Sequence, residues 1–377
     1  MKFLHIADLH LGKRLNDVNL LEDQIHILRQ ISDIAEAEAV DGILIAGDIY
    51  QQSAPSSEAV TVFSNFVCRM VKSGIKVFAV SGNHDSDQRV SYFSPLVRQA
   101  GVYISEKFEG TLQQFTLQDE YGDITVSLLP FLRPIHARKC FPEGTVNTTQ
   151  EAMAAVLAHS NLDTSKRNIL LCHQFVTGAQ TSDSEEHSLG GLDNVDAALF
   201  DAFDYVALGH IHRPQKMGRD TLRYAGSPLK YSLSEANQKK SVTLVTVGKK
   251  GNVSVTEKPL TPLHDVREVE GFLPDIMKMP YSEDYVRVTV HDEIVAPDAK
   301  VTVATVFPNM MKFAVSNSKT KVDIDVLAKA EMENKTVTEM FIDFFRLQSD
   351  GTDPDKELLE AFKQILKESE DESHETR

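Results

Sequence analysis

The chain has 377 residues, 42% hydrophobic and 25% charged, enough apolar mass for a large core and for two or three domains. No apolar run approaches the ~20 residues of a membrane span. The first residues, MKFLHIADLH, lack the features of a signal peptide, so a cytosolic protein is expected. The formal net charge of −16 argues at first sight against a nucleic-acid partner. It is unevenly spread: residues 350–377 carry ten Asp/Glu and four Lys/Arg, leaving −10 elsewhere, part of which a metal would neutralise.

In chain order, 2–8 (KFLHIAD) reads as a strand and 20–40 as an amphipathic helix. Residues 42–48 (GILIAGD) are a strand, 56–72 a helix with Val60, Phe63, Val67 and Met70 on one face, and 76–82 (KVFAVSG) a third strand. Short apolar strands between helices indicate buried, largely parallel βαβ units. Strands follow at 124–131, 168–173 and 205–210, then a hairpin of 241–247 and 252–258 around Gly251. After residue 265 the pattern changes: 286–292 and 310–316 read as strands flanking a short helix or strand, a small satellite domain. Two amphipathic helices close the chain. The first carries Val337, Met340, Phe341, Phe344 and Phe345 behind a Thr336–Glu339 capping box. The second carries Leu358, Leu359, Phe362, Ile365 and Leu366 behind Asp353–Pro354. QSDGT (348–352) is a polar hinge, and the last ten residues are expected to be disordered. The three cysteines, Cys68, Cys140 and Cys172, show no C-x-x-C spacing; Cys68 and Cys172 sit in apolar runs and are expected to be buried.

Polar clusters fall just past the carboxyl ends of these strands, where ligands bind in open α/β sheets. Asp8 and His10 follow the first strand, Asp48 the second, and Asn83, His84 and Asp85 the third; His173 ends a later strand, and His210 and His212 another. In an extended segment residues i and i+2 point the same way, so Asp8 and His10 would ligate one ion together, and His210 and His212 one each. Asp48 has two oxygens and can bridge. Mixed carboxylate, imidazole and amide donors suit Mn²⁺, Fe²⁺ or Zn²⁺, and two such ions can hold a phosphate and activate water. Each block alone has a bland reading as a turn, a cap or a hydrogen-bonded histidine. All five in order, each after an apolar strand, do not.

These blocks, D-x-H, GD, GNHD, H and GH-x-H, resemble the calcineurin-like metallophosphoesterase superfamily across residues 2–260. The resemblance implies a sandwich of two β-sheets flanked by helices, with one metal held by Asp8, His10, Asp48 and His212 and a second by Asp48, Asn83, His173 and His210. It implies that His84 is not a ligand but a proton donor or transition-state stabiliser, and that Asp85 orients it.

ADLHLGK (7–13), LPFLRP (129–134), LGHIHRPQ (208–215) and YAGSPLKYSLSEANQKKSV (224–242) further resemble the SbcD-type nuclease subunits. This implies a Mn²⁺-dependent exonuclease on double-stranded DNA and endonuclease on single strands and hairpins, active in repair and recombination. The implied partner is an SbcC-type coiled-coil ATPase, with the chain as a homodimer, packed through helices near 20–40 or 87–100, within a heterotetramer. The implied domains are a nuclease domain (1–265), a small α+β capping domain (266–333) and C-terminal helices with an acidic tail (334–377). The chain has no G-x-x-x-x-G-K-[ST] loop, so an ATP-driven step needs another protein. The C-terminal apolar stripes offer a docking surface, or pack on each other or the core. Lys13, Arg14, Arg89, Arg133, Arg213 and Lys230 lie near the ligand blocks and could meet DNA phosphates. Two other readings stay open: a stand-alone phosphoesterase on a small substrate, and a non-catalytic subunit that only tethers DNA ends.

Overall fold

The computed structural model describes residues 1–16, 18–142, 144–185 and 194–318, together with Thr338, Phe341, Ile342, Phe345, Arg346, Asp353, Pro354 and 358–362. Two six-stranded sheets carry the architecture. The first uses β1 (Lys2–Ile6), β2 (Gly42–Ala46), β3 (Lys76–Val80) and β4 (Val102–Ile104), all parallel, and is completed by two later strands. The second uses β5 (Gln113–Asp119), β6 (Gly122–Leu129), β7 (Arg167–His173), β8 (Tyr205–Gly209), β9 (Gln215–Met217) and β10 (Arg219–Tyr224). Its four inner strands are parallel and its edges, β5 and β9, antiparallel. β11 (Ser241–Val247) and β12 (Val253–Pro259) form the expected hairpin, and β11 pairs antiparallel with β1, Leu4 opposite Leu244.

The period of two along each strand sorts the core into three layers. From β1–β3, Leu4, Ile6, Ile43, Ile45, Val77 and Ala79 face the helices α1 (Leu21–Ala37) and α2 (Ser57–Lys72). The alternate residues Phe3, Leu44, Ala46, Phe78 and Val80 face Ile124, Val126, Ile169, Leu171 and Ala207 of the second sheet. That sheet's other face, Leu170, Cys172, Val206 and Leu208, packs with Met153 and Val156 of α3 (Thr149–His159). These are two stacked sheets flanked by helices, the sandwich that the resemblance implied.

Local signals explain the helices. Ser56 caps α2, accepting from the Ala59 amide at 3.2 Å, and Thr148 with Glu151 forms a capping box on α3. On α2 the expected apolar face shifts. Phe63, Phe66 and Met70 are buried, whereas Val60 is 43% exposed. Cys68, two residues past Phe66, turns to the opposite side and is exposed, contrary to expectation; Cys172, on β7, is buried. Strands β4, β5, β9 and β10 were not legible in the sequence: β4 and β9 are three residues each, and β5 buries only Leu117 fully.

The chain divides into two compact units: residues 1–269, 279–288 and 303–312, and residues 270–278, 289–302 and 313–377. Beyond residue 265 lie strands Val266–Gly271, Tyr285–Val290 and Met310–Val315, with a helix at Ala299–Ala304. Within the second unit the Leu273 amide donates to Asp292 at 2.7 Å and the His291 amide to the Gly271 carbonyl at 3.0 Å. Phe341 stacks face to face on Phe362 at 3.9 Å between ring centroids, so the two C-terminal stripes meet each other there. Thr336, Val337, Glu339, Met340, Phe344, the 348–352 hinge, Ile365, Leu366 and the tail lie outside the described residues. No helix among the described residues is long and apolar enough to cross a membrane.

Candidate metal centre

The site forms where the carboxyl ends of both sheets meet. β1, β2 and β3 end at Ile6, Ala46 and Val80, two or three residues before Asp8, Asp48 and Asn83. The sequence suggests strands that run through to these ligands. Instead the chain turns: Asp8, His10 and Asp48 have φ of 53°, 44° and 47°, and His210 has 105°. Such values are uncommon outside glycine and cluster at functional sites. Asp8 and His10 therefore converge through left-handed backbone, not through the i, i+2 alternation of a strand. The turns are anchored by Asp8 N–H donating to the Gly47 carbonyl (3.1 Å) and His10 N–H to the Asp48 carbonyl (2.9 Å). Glycine is required beside them. A Cβ on Gly82 would lie 2.0 Å from Asp48 Oδ1, and one on Gly209 only 1.7 Å from the Ala46 carbonyl.

All seven predicted ligands come together. His10 Nε2 lies 3.1 Å from His212 Nε2 and 3.5 Å from Asp48 Oδ2. On the other side Asn83 Oδ1 is 3.0 Å from both His173 Nε2 and His210 Nδ1, and Asp48 Oδ2 is 3.4 Å from His173 Nε2. Asp48 thus stands between two groups of donors. Asp8 accepts the His210 amide at 3.0 Å, and its donor atoms group with those of His10 and His212, and with Asp48 and His173. Cis donors of an octahedral ion bound at ~2.1 Å stand about 3 Å apart, which these spacings match. Hydrogen bonding within the protein leaves the cluster incomplete. Two imidazole nitrogens 3.1 Å apart can share at most one proton, so the facing Nε2 atoms of His10 and His212 do not satisfy each other fully. Divalent cations fit this donor set.

The electrostatics suit His10, His210 and Asp48 as donors, whereas His173 must give up a proton to ligate an ion. Burial pushes His10 well below the imidazole range and lowers His210 to about 3, so both present neutral rings. Burial also acts to raise Asp48, but His173, His10 and His84 outweigh it and hold the carboxylate ionised. Burial would depress His173; Asp48 and Asp8 reverse that and raise it to about 9. Burial raises Asp8 to about 6.

The calcineurin-like phosphoesterase family matches residues 1–214, and the type 5 capsule protein repressor C-terminal domain matches residues 262–349. The SbcD subunit of nuclease SbcCD from Staphylococcus epidermidis is 33% identical, with 84% of this chain and 85% of that protein aligned. Its counterpart from Staphylococcus saprophyticus, of the same name, is 28% identical over 98% of this chain and 99% of its own. The chain belongs to the calcineurin-like phosphoesterases, within the SbcD-type nuclease subunits. A dimetal phosphatase from Danio rerio is 10% identical over 69% of this chain and 96% of its own, with a TM-score of 0.42.

Membership in the calcineurin-like phosphoesterases implies divalent ions at this centre. His84 sits at its edge: Nδ1 meets the Gln51 carbonyl at 3.0 Å, and Nε2 is 4.0 Å from Asp48 Oδ2, near enough to group with the donor atoms of His10 and Asp48 although it is the most loosely placed of them. Asp85, expected to orient His84, works through the backbone. It accepts from the amides of Ile49 (3.0 Å), Tyr50 (2.9 Å) and Gly82 (2.9 Å), fixing the segment that leads to Gln51. Among the basic residues, Lys13 reaches Gln51 at 3.3 Å beside the site, and Arg133 lies over Phe131, which in turn stacks near His210. Arg89 donates to the Ser53 carbonyl at 2.8 Å; Arg14 and Arg213 are exposed. Lys230 does not belong with them. Its ammonium, partly buried, is spent on the Ala236 and Val266 carbonyls and Asp265, which leaves nothing for a phosphate.

Proposed function

We propose that this chain is the Mn²⁺-dependent DNA nuclease component of an SbcCD-type complex, an exonuclease on duplex ends and an endonuclease on single strands and hairpins. It would work in the cytosol with an SbcC-type ATPase. The observation that carries this reading is the gathering of a full two-ion donor set between the two sheets of a chain that belongs to this nuclease family. One ion is assigned to Asp8, His10, Asp48 and His212, and the other to Asp48, Asn83, His173 and His210. Bound there, the ions would supply Lewis acidity toward a phosphodiester and water.

The chain's own residues do the rest. His84, its Nδ1 held by Gln51, presents Nε2 toward the centre, where a proton can be given to the leaving oxygen. Asp85 keeps the turns at Ile49 and Gly82 closed so that this ring and Asp48 hold their places. Lys13, Arg14, Arg89, Arg133 and Arg213 are proposed phosphate contacts, recognising backbone and not sequence. The exposed Tyr92, Phe93 and Leu96 (75%, 58% and 67%) support a homodimer through the 87–100 region. We assign nuclease chemistry to residues 1–265, a capping role to 266–333 and partner docking to 334–377.

The test is cleavage of linear duplex, single-stranded and hairpin DNA by the metal-loaded protein, with and without its ATPase. Mn²⁺-dependent cleavage abolished by chelation is expected. A metal-loaded protein that hydrolyses a small phosphodiester yet leaves all three DNAs intact would favour the stand-alone phosphoesterase.

A further inference from the structure

The stretch YAGSPLKYSLSEANQKKSV carried the family resemblance without any chemistry attached to it. The structure gives its polar residues a common object, His212, which lies earlier in the chain. Lys240 is buried and donates to the His212 carbonyl at 2.8 Å, to Ser227 Oγ at 2.9 Å and to Glu235 Oε2 at 2.6 Å. Glu235, wholly buried, accepts from Ser184 Oγ through Oε1. Ser184 Oγ is 2.7 Å from His212 Nδ1. From the same segment as Ser184, Glu185 accepts the His212 amide at 2.7 Å. The amide, the carbonyl and the ring of one ligand are thus each held, from two segments distant in sequence.

The direction of the chain of hydrogen bonds follows from chemistry. The Glu235 carboxylate has no hydrogen to give, since it already accepts from Lys240 and from the Tyr231 amide (3.2 Å). Ser182 Oγ, 3.3 Å from Ser184 Oγ, gives its own hydrogen to Glu185 at 2.7 Å, and Ser184 spends its one hydrogen on the nearer Glu235. Its oxygen can then only accept from His212, which must carry its proton on Nδ1. Nε2 is left with a lone pair, aimed at His10 Nε2 and the ion position between them. His10 has no such device, because its Nδ1 has no partner.

We propose that Ser184, Glu235 and Lys240 are positioning residues that lock His212 in its Nδ1–H tautomer and so set the affinity of one of the two ion sites. Lys240 fixes the Glu235 carboxylate and the His212 backbone by donating to both; Glu235 orders the Ser184 hydroxyl; Ser184 reads the ring. The inference rests on the two-ion reading above.

The experiment is calorimetric titration of Mn²⁺ into the metal-free full-length chain, for wild type, Ser184→Ala and Ser184→Thr. Melting of each metal-free protein and ¹⁵N-histidine NMR accompany it. For Ser184→Ala we expect one of two sites to weaken ~10–100-fold, the usual worth of such an outer partner, with the other site unchanged. Its metal-free melting temperature should match wild type, and the His212 ring should show a mixed tautomer. Ser184→Thr, which keeps the hydroxyl, should restore both the affinity and the tautomer. Wild-type affinity at both sites in Ser184→Ala overturns the proposal. So does equal weakening of both sites together with a lowered metal-free melting temperature, which marks a merely structural role. A wild-type protein that binds no Mn²⁺ would instead overturn the two-ion reading. Glu235→Gln, which takes the carboxylate from Lys240 but leaves its bonds to the His212 carbonyl and Ser227, is the secondary variant and should weaken the same single site as Ser184→Ala; unchanged affinity at both sites would overturn the part given to Glu235.

Discussion

Asp48 Oδ2 lies 3.5 Å from His10 Nε2 and 3.4 Å from His173 Nε2, so one carboxylate oxygen stands between imidazoles brought from opposite sheets. A shared ligand has a distinct signature. Asp48→Asn should lose both ions, whereas His10→Ala should lose one and keep the other. Elemental analysis of the purified variants reads this directly, and near-full occupancy in Asp48→Asn would rule out the bridge.

The same carboxylate can be disturbed without touching it. Gly82→Ala drives a methyl to 2.0 Å from Asp48 Oδ1, closer than any relaxed contact permits. We expect the loss of both ions, with Mn²⁺ affinity reduced at least as much as in His10→Ala. Calorimetric titration beside a far-UV spectrum separates this from misfolding.

His84 should behave differently from every ligand. His84→Gln is expected to keep two ions and to bind DNA while turnover falls ~10²–10⁴-fold, the usual contribution of a positioned acid or base. Metal content measured on the same preparation as the rate decides the matter, since joint loss of metal and activity would make His84 a ligand.

A pH prediction comes from a site remote from the metals. Arg167 is buried and pairs with both oxygens of Asp119, at 2.9 and 2.5 Å. That bond holds the Asp119 carboxyl well below the ordinary range. A carboxyl depressed in the folded state stabilises fully above its unfolded pKa, ~4, and loses that contribution as pH falls through the lower, folded value. Asp119→Asn should therefore melt several degrees below wild type at pH 7, and the gap should shrink as pH drops below about 4. A gap that stays constant between pH 7 and pH 3 would show that the ion pair does not carry the difference.

The C-terminal helices make a further test. Every proposed ligand precedes residue 213, so deleting 336–377 should leave a metal-loaded nuclease that cuts single-stranded DNA but loses ATP-stimulated digestion of duplex ends. Phe362→Glu is subtler, because Phe362 stacks on Phe341. Loss of co-purification with the ATPase without a lowered melting temperature would assign the stripe to docking; loss of both would assign it to the helix pair.

The sequence was most informative where a local rule suffices. Apolar runs located β1 to β3, β6, β7, β8 and the β11–β12 hairpin, and the ligand types after them named the residues that the structure gathers. It failed where the third dimension decides. Nothing in D-x-H announces left-handed backbone at Asp8 and His10. Lys230 is written like a phosphate contact, yet contacts with Asp265 and the Val266 carbonyl, 35 and 36 residues later, consume it. Ser184 reads as a loop serine until Glu235, 51 residues on, gives its hydroxyl a direction. The signal that could have found it was GSP and SLSE sharing one stretch with a buried-type Lys–Glu pair.

Each proposed ion position draws donors from both sheets: Asp8, His10, Asp48 and Asn83 from the ends of β1–β3, and His173, His210 and His212 from the ends of β7 and β8. The ions are then cross-links as well as reagents. They rivet a seam whose remaining strength is the apolar layer between Phe3, Phe78, Ile169 and their neighbours. Because ligands that bind only the folded state add to its stability by mass action, stripping the metals should loosen the sandwich first along this seam. A chelated sample would then show faster amide exchange at Asp8, Asp48 and His210 than in the helix-covered outer faces. The protein's resistance to unfolding would follow the supply of metal in its surroundings.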